Sequence, residues 1–85
     1  MAERTVSVTS EVGLHARPAA TFVQTAAKVP FDVTIAKAGG APVSAKSILS
    51  VLALDVRQGE SIVISADGEG AEELLDELAQ IASAP

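Results

Sequence analysis

Eighty-five residues, 48% of them hydrophobic but only two aromatic, describe one modest core of Val, Ile, Leu and Ala, expected as a single domain over residues 1–85. The net charge of −5 and the scattering of Arg4, Arg17, Lys28, Lys37, Lys46 and Arg57 along the chain argue against a basic nucleic-acid-binding face. Without cysteine there is no disulfide framework or thiolate metal site, and no stretch approaches the roughly 18 apolar residues of a bilayer span, so a cytoplasmic protein without a secretory leader is expected.

Thr5 to Thr9 alternates polar and apolar residues with period two and predicts a half-buried strand. Ser10 to Leu14 is a loop containing Gly13. The period then changes. Ala19, Phe22, Val23, Ala26 and Ala27 share one face of a helix starting at about Ala16, with Pro18 in its first turn, where a missing N–H does no harm. Lys28 suits the last turn, and Pro30 ends the helix. Phe31 to Lys37 alternates again as a second strand. Ala38-Gly39-Gly40-Ala41 is a turn, and Pro42-Val43 is a short edge strand.

Ser47 reads as the N-cap of a short helix through Ile48, Leu49, Val51 and Leu52. Gln58-Gly59-Glu60 turns the chain into a strand from Ser61 to Ala66. Asp67 to Gly70 breaks it. Leu74, Leu75, Leu78, Ile81 and Ala82 then mark a final amphipathic helix, with Glu72 and Glu73 favourably placed near its positive end. The remaining acids of that helix read as a solvated face. The alternating strands suit an antiparallel sheet with one wet face, and the order βαββαβα predicts a two-layer α+β fold.

The only histidine, His15, stands directly before the first helix. A helix N-terminus presents unpaired N–H groups and partial positive charge, which suits phosphate. Imidazole is a nucleophile near neutral pH. A phosphorus–nitrogen bond stays transferable where a serine ester would not. The backbone N–H groups of Ala16 and Arg17, with the Arg17 guanidinium, could receive phosphate oxygens and offset charge during transfer. On spacing alone a surface residue or neutral cap is the commoner meaning of such a histidine, and both readings stay open.

Gly13-Leu14-His15-Ala16-Arg17-Pro18-Ala19-Ala20 closely resembles the active-site signature of the histidine-containing phosphocarriers (HPr) of the phosphoenolpyruvate:sugar phosphotransferase system. Ala45-Lys46-Ser47-Ile48-Leu49 resembles the family's second motif, in the right order, and the likeness extends over nearly the whole chain. The resemblance implies an open-faced β-sandwich: a four-stranded antiparallel sheet covered on one face by three helices. It implies a stoichiometric carrier rather than an enzyme, without metal or cofactor. His15 would take phosphate on Nδ1 from enzyme I and pass it to sugar-specific IIA proteins or domains, assisted by Arg17. Ser47 would be the serine that an ATP-dependent kinase phosphorylates in many relatives.

Ile48, Leu49 and Leu52 cannot all turn inward while Val51, Leu54 and Val56 also demand burial, so an exposed apolar patch of the kind that marks a partner surface is expected there. The resemblance implies that this patch, next to the histidine, docks enzyme I and IIA. Carriers of the nitrogen-linked or dihydroxyacetone-kinase-linked phosphorelays reuse the same fold and histidine. Regulatory binding modules of the fold lose the histidine. No nucleic-acid partner and no membrane insertion are expected.

Overall fold

The alternating segments of the sequence pair into one antiparallel sheet, seen in a computed structural model that describes residues 2–9 and 16–83, the side chains of residues 16–18 excepted. The elements run β1 (Ala2–Ser7), α1 (Ala16–Ala26), β2 (Val33–Lys37), β3 (Val43–Ser44), α2 (Ile48–Ala53), β4 (Ser61–Ala66) and α3 (Ala71–Ser83). The strand order is β1-β4-β2-β3, so the two-residue β3 and the longer β1 are the edges. The expected α+β open-faced sandwich is the fold observed.

Register decides which side chains share a face. Arg4, Ile64 and Ile35 lie abreast, as do Val6, Ile62 and Lys37. Ile62, Ile64, Val33 and Ile35 are thereby turned together onto the covered face, where they meet Phe22 of α1, Val51 of α2 and Leu75 and Leu78 of α3. Each large apolar side chain taken out of water there contributes about 1.5–3 kcal/mol. The opposite face carries Glu3, Thr5, Ser7, Thr34, Ser61 and Ser65, the polar half of the period-two pattern, together with the apolar pair Ala36 and Val63.

Four elements differ in their bounds from the sequence reading, each for a reason of pairing or packing. Strand β3, expected at Pro42-Val43, runs Val43–Ser44, the two residues that face Ile35 and Thr34 of β2. Strand β1 starts at Ala2 and stops at Ser7, because its six residues match the six of β4, from Ala2 opposite Ala66 to Ser7 opposite Ser61. Val8, just beyond, stays buried and exchanges hydrogen bonds with the turn that leads into β4, its N–H donating to Glu60 O (2.9 Å) and its carbonyl accepting from Gly59 N (2.8 Å). Strand β2 starts at Val33, not Phe31, since Val33 faces Ala66, the last residue of β4. Phe31 instead lies over Gly68, where any Cβ would sit 2.3 Å from ring atom Cδ2. Helix α1 ends at Ala26. Ala27 is exposed, and Lys28 falls in the closing turn, its N–H on Thr25 O at 3.2 Å.

Candidate functional site at the ends of the first two helices

Helix α1 begins at Ala16, the residue that follows His15 in the chain. His15 itself lies outside the described residues, and so does the side chain of Arg17. The backbone of Ala16 and Arg17 forms the first turn of α1, whose N–H groups have no carbonyl four residues back within the helix. Pro18 has no N–H to offer. With Ala19 and Phe22 wholly buried, the inward side of the helix is anchored in the core. A buried anchor limits how far the first turn can drift, and an anion at its end would meet donors already in place.

Helix α2 packs against α1 and is built differently. Ser47 is its N-cap, with extended backbone (φ −106°, ψ 114°) and a side chain that accepts a hydrogen bond from Ser50 N–H at 3.2 Å. Such caps are worth about 0.5–2 kcal/mol. The chain leaves α2 through Asp55 in the left-handed region (φ 52°), whose N–H donates to Leu52 O at 3.1 Å. Only Val51 of the helix is fully buried. Leu52 is half-buried, while Ile48 is 38% and Leu49 77% exposed. These last two are the only large hydrophobic residues exposed among the described residues, and they lie on one short helix.

Ser47 is half-buried at the junction, with its hydroxyl engaged in the cap. The preceding Lys46 reaches back to α1's exit, donating from Nζ to the carbonyl of Val29 at 2.7 Å. Nothing in the spacing of the sequence connects residues 46 and 29, so this contact was not legible beforehand. Arg4 was legible in principle. It shares the inward parity of Val6 on β1, and a charge in line with core positions needs a partner. It finds Asp76, and Glu72 at 3.1 Å, on the outer face of α3. These hydrogen-bonded carboxylates, Asp76 above all, hold the guanidinium still more firmly protonated. Lys28 lies 3.8 Å from Glu77. The acidic face of α3 is thus partly neutralised by pairing.

Among the described residues no three of the His, Cys, Asp and Glu side chains gather as metal ligands do, and no helix is long and apolar enough to cross a membrane. A family model described as the PTS HPr component phosphorylation site matches residues 2–84. The phosphocarrier protein HPr of Streptomyces coelicolor is 53% identical over 81 residues, covering 95% of this chain and 87% of that protein. The HPr of Haloferax volcanii is 48% identical over 84 residues, covering 98% and 94%. A crystal structure of HPr from Bacillus anthracis superposes with a TM-score of 0.89 at 40% identity, covering 96% of each chain. Sheet order, helix placement and these likenesses lead to one conclusion: the chain belongs to the HPr family, the phosphocarrier proteins of the phosphotransferase system.

Proposed function

We propose that this chain takes a phosphoryl group from phosphorylated enzyme I onto His15 and hands it to a sugar-specific IIA protein or domain. Nδ1 of the imidazole attacks phosphorus. The new phosphorus–nitrogen bond forms as the bond to enzyme I breaks, and the onward step reverses those roles with IIA as acceptor. The N–H groups of Ala16 and Arg17 and the Arg17 guanidinium offset the charge on the transferring oxygens. The reading is supported most by one observation: α1 starts at Ala16, so the histidine precedes a turn rich in free donors. The chain acts as a stoichiometric carrier over one domain, residues 1–85, in the cytoplasm.

Ile48, Leu49 and Leu52 form the docking surface for both partners, which is why an apolar residue as exposed as Leu49 is kept. Ser47 is the regulatory serine, acted on by a protein kinase. Phosphate there adds negative charge at a helix N-terminus, where it is tolerated, but also beside an apolar docking patch, where it opposes acidic partners. A Ser47→Asp variant is expected to fold normally and to accept phosphate from enzyme I more slowly than wild type. Equal rates would remove the regulatory role.

A pulse-chase with labelled phosphoenolpyruvate and enzyme I tests the main reading. Label should load onto the wild-type chain, be lost in acid, survive base and leave when IIA is added. His15→Ala should take up none. Label that stays on the chain after IIA is added, or loads without His15, contradicts it.

A further inference from the structure

Helix α2 has six residues, too few to be stable by its own hydrogen bonds. Its placement must come from what it touches. Behind it, Val51 enters the core. Ahead of it, the connecting segment is fixed to the sheet by Ala45 N–H on Val33 O (2.8 Å) and Lys46 N–H on Ser44 Oγ (3.2 Å). Those bonds set where the segment leaves β3. They do not set how α2 leans against α1.

One side-chain bond does cross that gap. The Lys46 ammonium, partly buried, donates to the carbonyl of Val29 at 2.7 Å, a short charge-assisted bond. Val29 lies three residues past the end of α1 at Ala26, and it precedes Pro30. The carbonyls at a helix C-terminus lack intrahelical donors and carry partial negative charge, so a cation is favoured in that neighbourhood. No basic residue stands in the last turn of α1 itself, and Lys28, in the turn that closes it, lies 3.8 Å from Glu77 of α3. Lys46 supplies that charge from the other helix's approach segment, and in doing so ties the start of α2 to the exit of α1.

We infer that Lys46 is a positioning residue. Its bond to the Val29 carbonyl fixes α2 against α1, and so holds the apolar patch of Ile48, Leu49 and Leu52 at a set distance from the helix end that follows His15. The inference rests on the docking role proposed above for that patch. Loss of the tie removes none of the groups proposed to take part in transfer. It alters the spacing between the reacting end and the docking face, and therefore recognition rather than the chemical step.

Lys46→Met keeps the length of the side chain and removes donor and charge. It is expected to raise the KM for phosphorylated enzyme I about threefold to tenfold, with kcat near wild type. That is a fraction of the worth of one charge-assisted hydrogen bond, because the bond is internal and acts on docking only through the placement of α2. In the free protein, backbone amide resonances should shift along α2 from Ile48 to Ala53 as well as at Val29. Lys46→Arg, which keeps a cationic donor, should recover most of both effects. Two results overturn the inference. One is an α2 whose amides stay unmoved in Lys46→Met whatever the KM, as a lysine acting directly on the partner would give. The other is shifted α2 amides with unchanged KM. A wild-type chain that takes no phosphate sinks the carrier reading alone, and the amide comparison then decides by itself whether Lys46 places α2.

Discussion

Helices α2 and α3 lie in one layer and obey the same rule of an apolar inner stripe, yet their outer faces are opposites. Helix α3 buries Leu74, Leu75, Leu78 and Ala82 and turns Glu72, Glu73, Asp76 and Glu77 to solvent, with Arg4 and Lys28 pairing some of them. Helix α2 buries only Val51 and turns Ile48 and Leu49 to solvent, with no acid in its first turn and no base in its last. Over thirteen residues α3 is held by its own length and inner face. Over six, α2 is held by a cap, a left-handed exit at Asp55 and a lysine tie. An exposed apolar face adds little to folding, so its presence on the shorter helix supports the docking surface proposed above.

The contrast is sharpest in paired truncations. Leu75→Ala empties a fully buried site on α3 and is expected to cost about 2–5 kcal/mol in urea unfolding. Leu49→Ala on α2 should change stability by less than about 0.5 kcal/mol while weakening capture of enzyme I. A large stability loss in Leu49→Ala would make α2's outer face structural and erase the comparison. The bend leading into α3 comes next in size. Gly68→Ala drives a methyl group against the Phe31 ring and should cost about 1–3 kcal/mol, visible as a lowered urea midpoint. Ser47→Ala, which removes the α2 cap, should cost about 1 kcal/mol by the same measurement, with hydrogen exchange quickened first at Ser50.

The smallest effect concerns the turn between α2 and β4. There the Glu60 carboxylate accepts from Arg57 N–H at 2.8 Å and lies 3.4 Å from Lys37 Nζ. The Arg57 N–H hydrogen bond above all, helped by the Lys37 ammonium, holds Glu60 below its ordinary value of 4.5, against the opposing effects of burial and of the nearby Asp55 charge. A carboxylate lowered in the folded state adds stability above its unfolded value and loses it as pH falls through the folded one. The gap in Tm between wild type and Glu60→Gln should therefore be full at neutral pH and close as pH drops below about 4.5. A gap that does not change with pH would remove the charge from the account.

Much of this architecture is written locally. Ser61 to Ala66 alternates cleanly and is a strand from end to end, and Ser47 caps its helix as its side chain suggests. What local pattern could not supply was the partner's length. Phe31 and Asp32 continue the alternation of β2, but β4 ends at Ala66 and leaves them nothing to pair with. Ala2 to Arg4 read poorly as a strand alone and become one because β4 offers Ala66 to Ile64 opposite. At the candidate site, the family signature was legible around His15, and the exposed α2 patch followed from crowding of apolar residues. The tie between Lys46 and Val29 joins positions 17 apart with no periodic relation, and only the folded chain brings them together.

Phosphorus NMR of the chain after incubation with enzyme I and phosphoenolpyruvate tests the carrier reading most directly. The account predicts a phosphoramidate resonance on Nδ1 of His15, absent in His15→Ala and discharged when IIA is added. A serine ester in its place, or a phosphoramidate that persists in His15→Ala, would contradict it.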